Sequence, residues 1–165
     1  MKMSPELVSL VRAMLFDRRV AALATLHDGL PFASMVPFAA TMVTGRLVLV
    51  VHVSGLAAHT RDMRSHPEVC LLVTARESPD VPPQTLPRIS IPEVAEFVPH
   101  DHPEHAAFEA AYLAMFPDSA PLFTFADFSL VALVPTSARL VARFAQAMTL
   151  SADTLQAAVS GNGDA

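Results

Sequence analysis

Apolar positions along the chain follow two periods. Leu7, Leu10, Val11, Met14 and Leu15 recur at helical spacing behind Ser4-Pro5-Glu6. This predicts a first helix with Ser4 as N-cap, Pro5 in its first turn, and Arg18 and Arg19 at its negative end. The period then shortens to two. Val20 to Leu26 reads as a strand, and His27-Asp28-Gly29 is a hairpin signal. Phe32, Ser34, Val36 and Phe38 alternate with Ala33, Met35, Pro37 and Ala39, so the two sets face opposite ways. Pro37 has no N–H for a ladder, which predicts a bulge or a sheet edge. Leu47 to Val53 is apolar on both faces and predicts a strand covered on both sides.

The helical period returns abruptly in Val53-Ser54-Gly55-Leu56-Ala57-Ala58-His59-Thr60-Arg61-Asp62-Met63, with Leu56 and Met63 two turns apart on one stripe. Val69 to Thr74 reads as a further strand, and Arg76 to Pro87 as a proline-rich surface loop or arm. Ile89, Ile91 and Val94 belong to a strand from Arg88, with Pro92-Glu93 as an expected bulge. Asp101-His102-Pro103-Glu104 predicts a second long helix with a carboxylate cap, buried along Phe108, Tyr112, Met115 and Phe116. Phe128 to Val134 and Ala138 to Phe144 read as two last strands. From Ser151 a short helix is expected, ending in a frayed Gly161-Asn162-Gly163. About six strands, hairpin-length connections and no sustained βαβ alternation predict a mainly β, antiparallel barrel with peripheral helices.

Composition narrows the picture. The 165 residues are 52% apolar and 16% charged, which points to a well-buried single domain or a large subunit interface. A net charge of −5 argues against nucleic acid as a general partner. No apolar run reaches the ~20 residues that a membrane span needs, so no membrane partner is expected. The amino terminus lacks a signal-peptide core, and the one cysteine, Cys70, reads as a small buried hydrophobe in a strand; both suit a cytoplasmic protein.

Candidate chemistry concentrates at the strand-to-helix junction. A helix starting after Ser54 and Gly55 aims free N–H groups outward, with Arg61 and Arg64 within two turns, and this predicts a phosphate pocket. Nucleotide-binding glycine motifs and a nucleophile elbow are absent from the sequence. The cluster His100-Asp101-His102-Pro103-Glu104-His105 reads as an exposed helix start, and no metal site is expected there.

The order of segments resembles the FMN-binding split-barrel family of pyridoxamine 5′-phosphate oxidase-like proteins, in particular the branch of haem-utilisation proteins. Four stretches carry the likeness over nearly the whole chain: Arg19 to Thr25 with Ala33 to Ala39, Ser54 to Thr60, Leu86 to Ser90, and Asp127 to Leu130 with the strands that follow. Ser-x-Leu-Ala-x-His-Thr is the most specific of them. The resemblance implies a six-stranded antiparallel split β-barrel over residues 1–150, with a tail over 151–165. It implies a homodimer with FMN at the interface, each site built from both subunits. Ser34, Met35, Val36 and Pro37 would lie along the flavin ring and ribityl chain. Ser54, His59, Thr60, Arg61 and Arg88 would serve the cofactor, with His59, Thr60 and Arg61 at its phosphate. His59 stands where the family's vitamin-B6 oxidases carry a lysine.

The implied activity is flavin-dependent oxidoreduction of a small-molecule substrate, with no catalytic acid or base identified. A haem-binding protein on the same scaffold, with His100, His102 or His105 as axial ligand, is the alternative. A cofactor-free dimeric binding module is a third. Two positions depart from the family pattern: Glu93 replaces an expected glycine, and Arg143-Phe144-Ala145-Gln146 replaces a Gly-Phe-Gly segment. Side chains there would narrow the cofactor cleft or the dimer seam.

Overall fold

The computed structural model describes residues 3–143 and 146–161. Its elements run α1 (Pro5–Phe16), β1 (Val20–His27), β2 (Leu30–Pro37), β3 (Ala39–Val43), β4 (Arg46–Ser54), α2 (Ala58–Ser65), β5 (Glu68–Thr74), β6 (Arg88–Val98), α3 (His105–Met115), β7 (Phe128–Pro135), β8 (Ser137–Arg143), β9 (Gln146–Ser151) and α4 (Ala152–Val159). Short 3-10 turns occupy Pro83–Thr85 and Pro117–Thr124. The strands pair antiparallel in the order β2-β1-β5-β6-β7-β4-β3, with β8 on β6 and β9 on β8. The expected fold class holds, but the described residues form nine strands and not six: seven correspond to the segments read as strands in the sequence, and two are additions. β3 is the first addition: the chain turns at Phe38, whose N–H reaches the Arg19 carbonyl, and so divides the predicted strand. β9 is the second.

Two hairpins rest on left-handed residues. Asp28 and Gly29 both have positive φ, as do Thr44 and Gly45, the pairing a tight two-residue hairpin needs. Pro37 falls on β2, at the sheet edge, in unbroken register with Val20. Pro92 makes no bulge, because β6 changes partner there. It pairs with β8 through Ser90 and with β7 from Glu93 onward, so the missing N–H interrupts neither ladder.

β4 has the predicted cover on both faces. Leu47, Leu49, Val51 and Val53 enter the barrel core with Val11, Met14, Leu15, Leu71, Ile91 and Leu133. Val48 and Val50 face a second core with Phe108, Tyr112 and Phe116, which holds α3 against the barrel. Burying one such side chain contributes roughly 1.5–3 kcal/mol, enough to fix a helix of this length. α1 and α4 close another side, where the Arg12 guanidinium donates to the Val159 carbonyl.

Three local expectations are corrected. α3 begins at His105 and not at Asp101, and Glu104, its N-cap, makes no side-chain capping bond among the described residues. The Glu104 carboxylate instead accepts from Thr44 Oγ1 at 2.8 Å and from Arg46 at 3.2 Å. Leu56 precedes α2 and is 84% exposed, so the buried face of α2 consists of Met63 with the polar Thr60 and Asp62. Cys70 is half-buried on the outer face of β5, not in the core. Phe144, Ala145 and the Asn162-Gly163 end lie outside the described residues.

Candidate functional site

The junction between β4 and α2 is built by close backbone packing. Gly55 N–H donates to the Asp127 carbonyl at 2.6 Å. A Cβ at Gly55 would lie 3.1 Å from that same oxygen, so any side chain there would press the Asp127 carbonyl back by a few tenths of an ångström. Ser54 Oγ donates to the Asp127 carboxylate at 2.9 Å and accepts from Leu56 N–H at 3.2 Å. Thr60 is fully buried, and its hydroxyl donates to the Ser54 carbonyl at 2.7 Å. Ser54 and Thr60 therefore shape the turn through their own hydrogen bonds.

The groups left facing outward are those of the first turn of α2. Its N-cap, Ala57, supplies no side-chain acceptor, so the positive end of the helix is open to an anion. His59 is half-buried and Arg61 exposed. Burial holds the His59 imidazole below its ordinary pKa, with the charge of Asp62 pulling the other way. His59 is thus uncharged near neutrality, and a bound anion would draw a proton onto it.

Behind this turn lies a buried cluster that sequence reasoning missed. Asp62 is almost fully buried, accepting from Thr25 Oγ1 at 2.8 Å and from His27 Nδ1 at 2.8 Å. Burial alone would raise its carboxyl, but these two bonds and the charges of His27 and Arg61 outweigh it and hold the pKa below the ordinary value. The cluster ties α2 to the end of β1. Its one local signal was an acid next to the buried Met63 in α2.

The remaining predicted residues lie on β2 and β6. Ser34 and Val36 point toward the barrel side, and Val36 is buried; Met35 and Pro37 are exposed on the outer side. Ser34 and Met35 share an open groove of about 390 Å³ with Arg18, Val20, Ala22 and Leu72. Arg88 starts β6 opposite Thr74, and its guanidinium donates to the Leu86 carbonyl at 3.2 Å. β5 runs from Glu68, just after α2, to Thr74, roughly 20 Å of strand at 3.3 Å per residue. A single protomer therefore brings Ser54, His59, Thr60 and Arg61 together, and leaves Arg88 at the far end of the sheet.

The outer face of β1, β2 and β5 is apolar and uncovered. Val20, Leu26, Met35 and Leu72 are exposed there, Met35 at 68%. Small residues, Ala22, Ala24 and Ala33, lie between them. Among the described residues no helix is long and apolar enough to cross a membrane, and no group of histidine, cysteine or carboxylate side chains is placed to hold a metal ion.

Residues 7–142 match the family model described as Pyridoxamine 5′-phosphate oxidase. Over 121 residues the chain is 36% identical to the noncanonical chloroplastic haem oxygenase HOZ of Arabidopsis thaliana, covering 73% of this chain and 35% of that protein. Its structure is similar to that of a haem binding protein from Mycobacterium smegmatis, with TM-score 0.80 and 26% identity over 94% of this chain and 62% of the other. It is also similar to HutZ, the haem storage protein of Vibrio cholerae, with TM-score 0.67 and 25% identity over 82% of this chain and 91% of the other. The chain thus spans about a third of the plant relative's length and less than two thirds of the mycobacterial one.

Proposed function

The chain belongs to the pyridoxamine 5′-phosphate oxidase family, and from that premise we propose that it is a homodimeric flavoprotein that binds FMN and serves as a flavin-dependent oxidoreductase for a small molecule. The observation that carries this reading is the open first turn of α2. It is uncapped by any side chain of its N-cap, flanked by His59 and Arg61, and held rigid from behind by Gly55, Thr60 and the Ser54–Asp127 contact. That arrangement fits a terminal phosphate: backbone N–H groups and a guanidinium donate, and His59 becomes a donor on taking a proton.

When bound, the flavin supplies hydride transfer, which needs no protein nucleophile. The chain's part is to bind and orient. α2 seats the phosphate, and the Ser34 to Pro37 run of the edge strand β2, with Met35 and Pro37 exposed, offers a flat edge beside the apolar outer face. Arg88 stands too far along the sheet to join α2 in one protomer, so its service to the same site calls for a second copy of the chain.

Haem binding is the second reading, favoured by the haem-named relatives. Of the three histidines expected as axial ligands, His102 uses Nδ1 to accept from the Glu104 N–H and His105 is buried, while His100 is exposed. His59, held uncharged by its burial, is in the metal-ligating form.

Parallel titrations of the purified chain with FMN and with haemin separate the readings. Saturable flavin binding at micromolar protein is expected, weakened about tenfold or more in His59→Ala, as for loss of a charge-assisted bond. Because free His59 is uncharged, wild-type affinity should rise from pH 8 toward pH 6, and His59→Ala should flatten the profile. A saturable Soret change with no flavin binding would transfer the assignment to haem.

A further inference from the structure

Arg18, in the turn from α1 into β1, is the one charged residue among those described that line the open groove on the outer face of β1, β2 and β5. We propose that this groove binds a small planar carboxylate, its ring lying on the sheet and its carboxylate on the Arg18 guanidinium. Ser34 and Met35, assigned to the flavin ring, line the same groove, so the guest's role as a substrate rests on the flavin reading. Its binding does not.

Strand register gives the groove its shape. Ala22 pairs with Met35 of β2 on one side and with Leu72 of β5 on the other. Ala24 and Ala33 form the next outward pair. Neighbouring strands lie roughly 5 Å apart, so Met35 and Leu72 stand about 10 Å from each other across the low Ala22. Both project, at 68% and 36% exposure. The result is a flat-floored slot between apolar walls, part of a groove of about 390 Å³, with Arg18, Val20 and Thr74 at one end.

Charge selects the guest. A guanidinium keeps its charge at any working pH. Nε of Arg18 is buried without a hydrogen-bond partner, and none of the ion pairs or cation–ring contacts among the described residues uses this side chain. With Nε shut in, the terminal nitrogens are the donors left for a guest, and a carboxylate matches their paired N–H groups. No acid lines the groove, and its other polar members, Ser34 and Thr74, are uncharged. Asp17 and Arg19 stay outside it, with Arg19 over the Phe116 ring at 5.1 Å. A neutral ring would fill the slot and leave the cation unpaired, whereas a small aliphatic acid would pair with it and leave the walls bare. A second copy seated on this face would roof the slot and strengthen the ion pair by excluding water.

The test titrates benzoate, benzamide and acetate into the full chain, free of flavin and at fixed ionic strength, with two-dimensional NMR at Ala22, Met35 and Leu72. Saturable benzoate shifts are expected at these residues, with benzamide and acetate each about tenfold weaker or more. Arg18→Gln should bring benzoate down to the level of benzamide, and Arg18→Lys should restore part of the difference. Equal affinity for benzoate and benzamide on the wild-type chain, or no saturable shift at these residues by about 10 mM benzoate, overturns the proposal. The comparison of guests on the wild type decides even where a variant fails to fold. A separate FMN titration keeps the two readings apart. Benzoate binding without flavin binding upholds the site and removes the guest's role as substrate; flavin binding without benzoate binding overturns this inference alone.

Discussion

Glu93 is the residue whose chemistry sits least comfortably with its surroundings. It faces the barrel core from β6, opposite Val69 and Pro135, with Ile91 and Ala95 beside it on the same face. It is 2% exposed, and neither carboxyl oxygen has a partner among the described residues. Burial pushes its pKa well above the ordinary value, so the folded chain holds the proton. Across the strand pair, the Cys70 thiol is raised by its own burial and then by Glu93. The consequence for stability has a definite sign. Above the ordinary carboxylate range the unfolded chain releases this proton and the folded chain keeps it. Stability therefore falls with rising pH, by up to about 1.4 kcal/mol per pH unit, until the folded group ionises. Glu93→Gln removes the titration and keeps the shape. Its melting temperature should exceed that of the wild type by several degrees at pH 8, and the difference should close toward pH 4. Parallel melting curves across that range would show that Glu93 is already ionised or solvated. The position was legible as a departure from the family's glycine, but only the strand register shows that its side chain points inward.

At the scale of elements, the α2 junction shows what a sequence can and cannot disclose. The open helix start, and its cationic flank, were legible because the period changes within a few residues and the chemistry of a helix terminus is local. The location of the cap was not. The helix was expected to start directly after Ser54 and Gly55, yet Ser54 is the last residue of β4, paired with Phe128, its hydroxyl goes to Asp127, a partner far along the chain, and the cap is Ala57. The late start of α3 has the same origin, since Glu104 is drawn to Thr44 and Arg46 across the fold. Pro92 was misread as a bulge because the partner change of β6 belongs to the sheet and leaves no mark in the strand itself. Gly55 makes the element-level account testable. An added Cβ would crowd the Asp127 carbonyl at 3.1 Å and strain the 2.6 Å bond that fixes the turn. Gly55→Ala should destabilise the fold by about 1–3 kcal/mol, as overpacking does, and should weaken FMN binding beyond that. Chemical denaturation gives the first quantity and flavin titration of the folded variant the second. An alanine variant with wild-type stability and flavin affinity would mean that the turn tolerates displacement and does not set the phosphate seat.

At the scale of the whole molecule, the described residues leave a large apolar area uncovered on the outer sheet of β1, β2 and β5. Val20, Leu26, Met35 and Leu72 project there over a floor of alanines. Small residues let another surface approach closely, and projecting ones supply area, which is how a sheet face meets a second protein surface. Stable interfaces bury roughly 1,200–2,000 Å² in total, within the capacity of three strands of this length. Two-fold pairing through this face would also bring the β2 edge of one copy and the Arg88 end of its sheet toward the other, as a shared cofactor site requires. Met35→Glu with Leu72→Glu places like charges on that face of a chain already at −5. Light scattering should show a dimer for the wild type and a monomer for the double variant, with unchanged far-ultraviolet dichroism. Flavin affinity should fall with dimerisation, because half of each site would leave with the partner. A double variant that stays dimeric would move the interface to another surface. One that is monomeric and binds FMN as tightly as the wild type would confine the site to a single chain around α2.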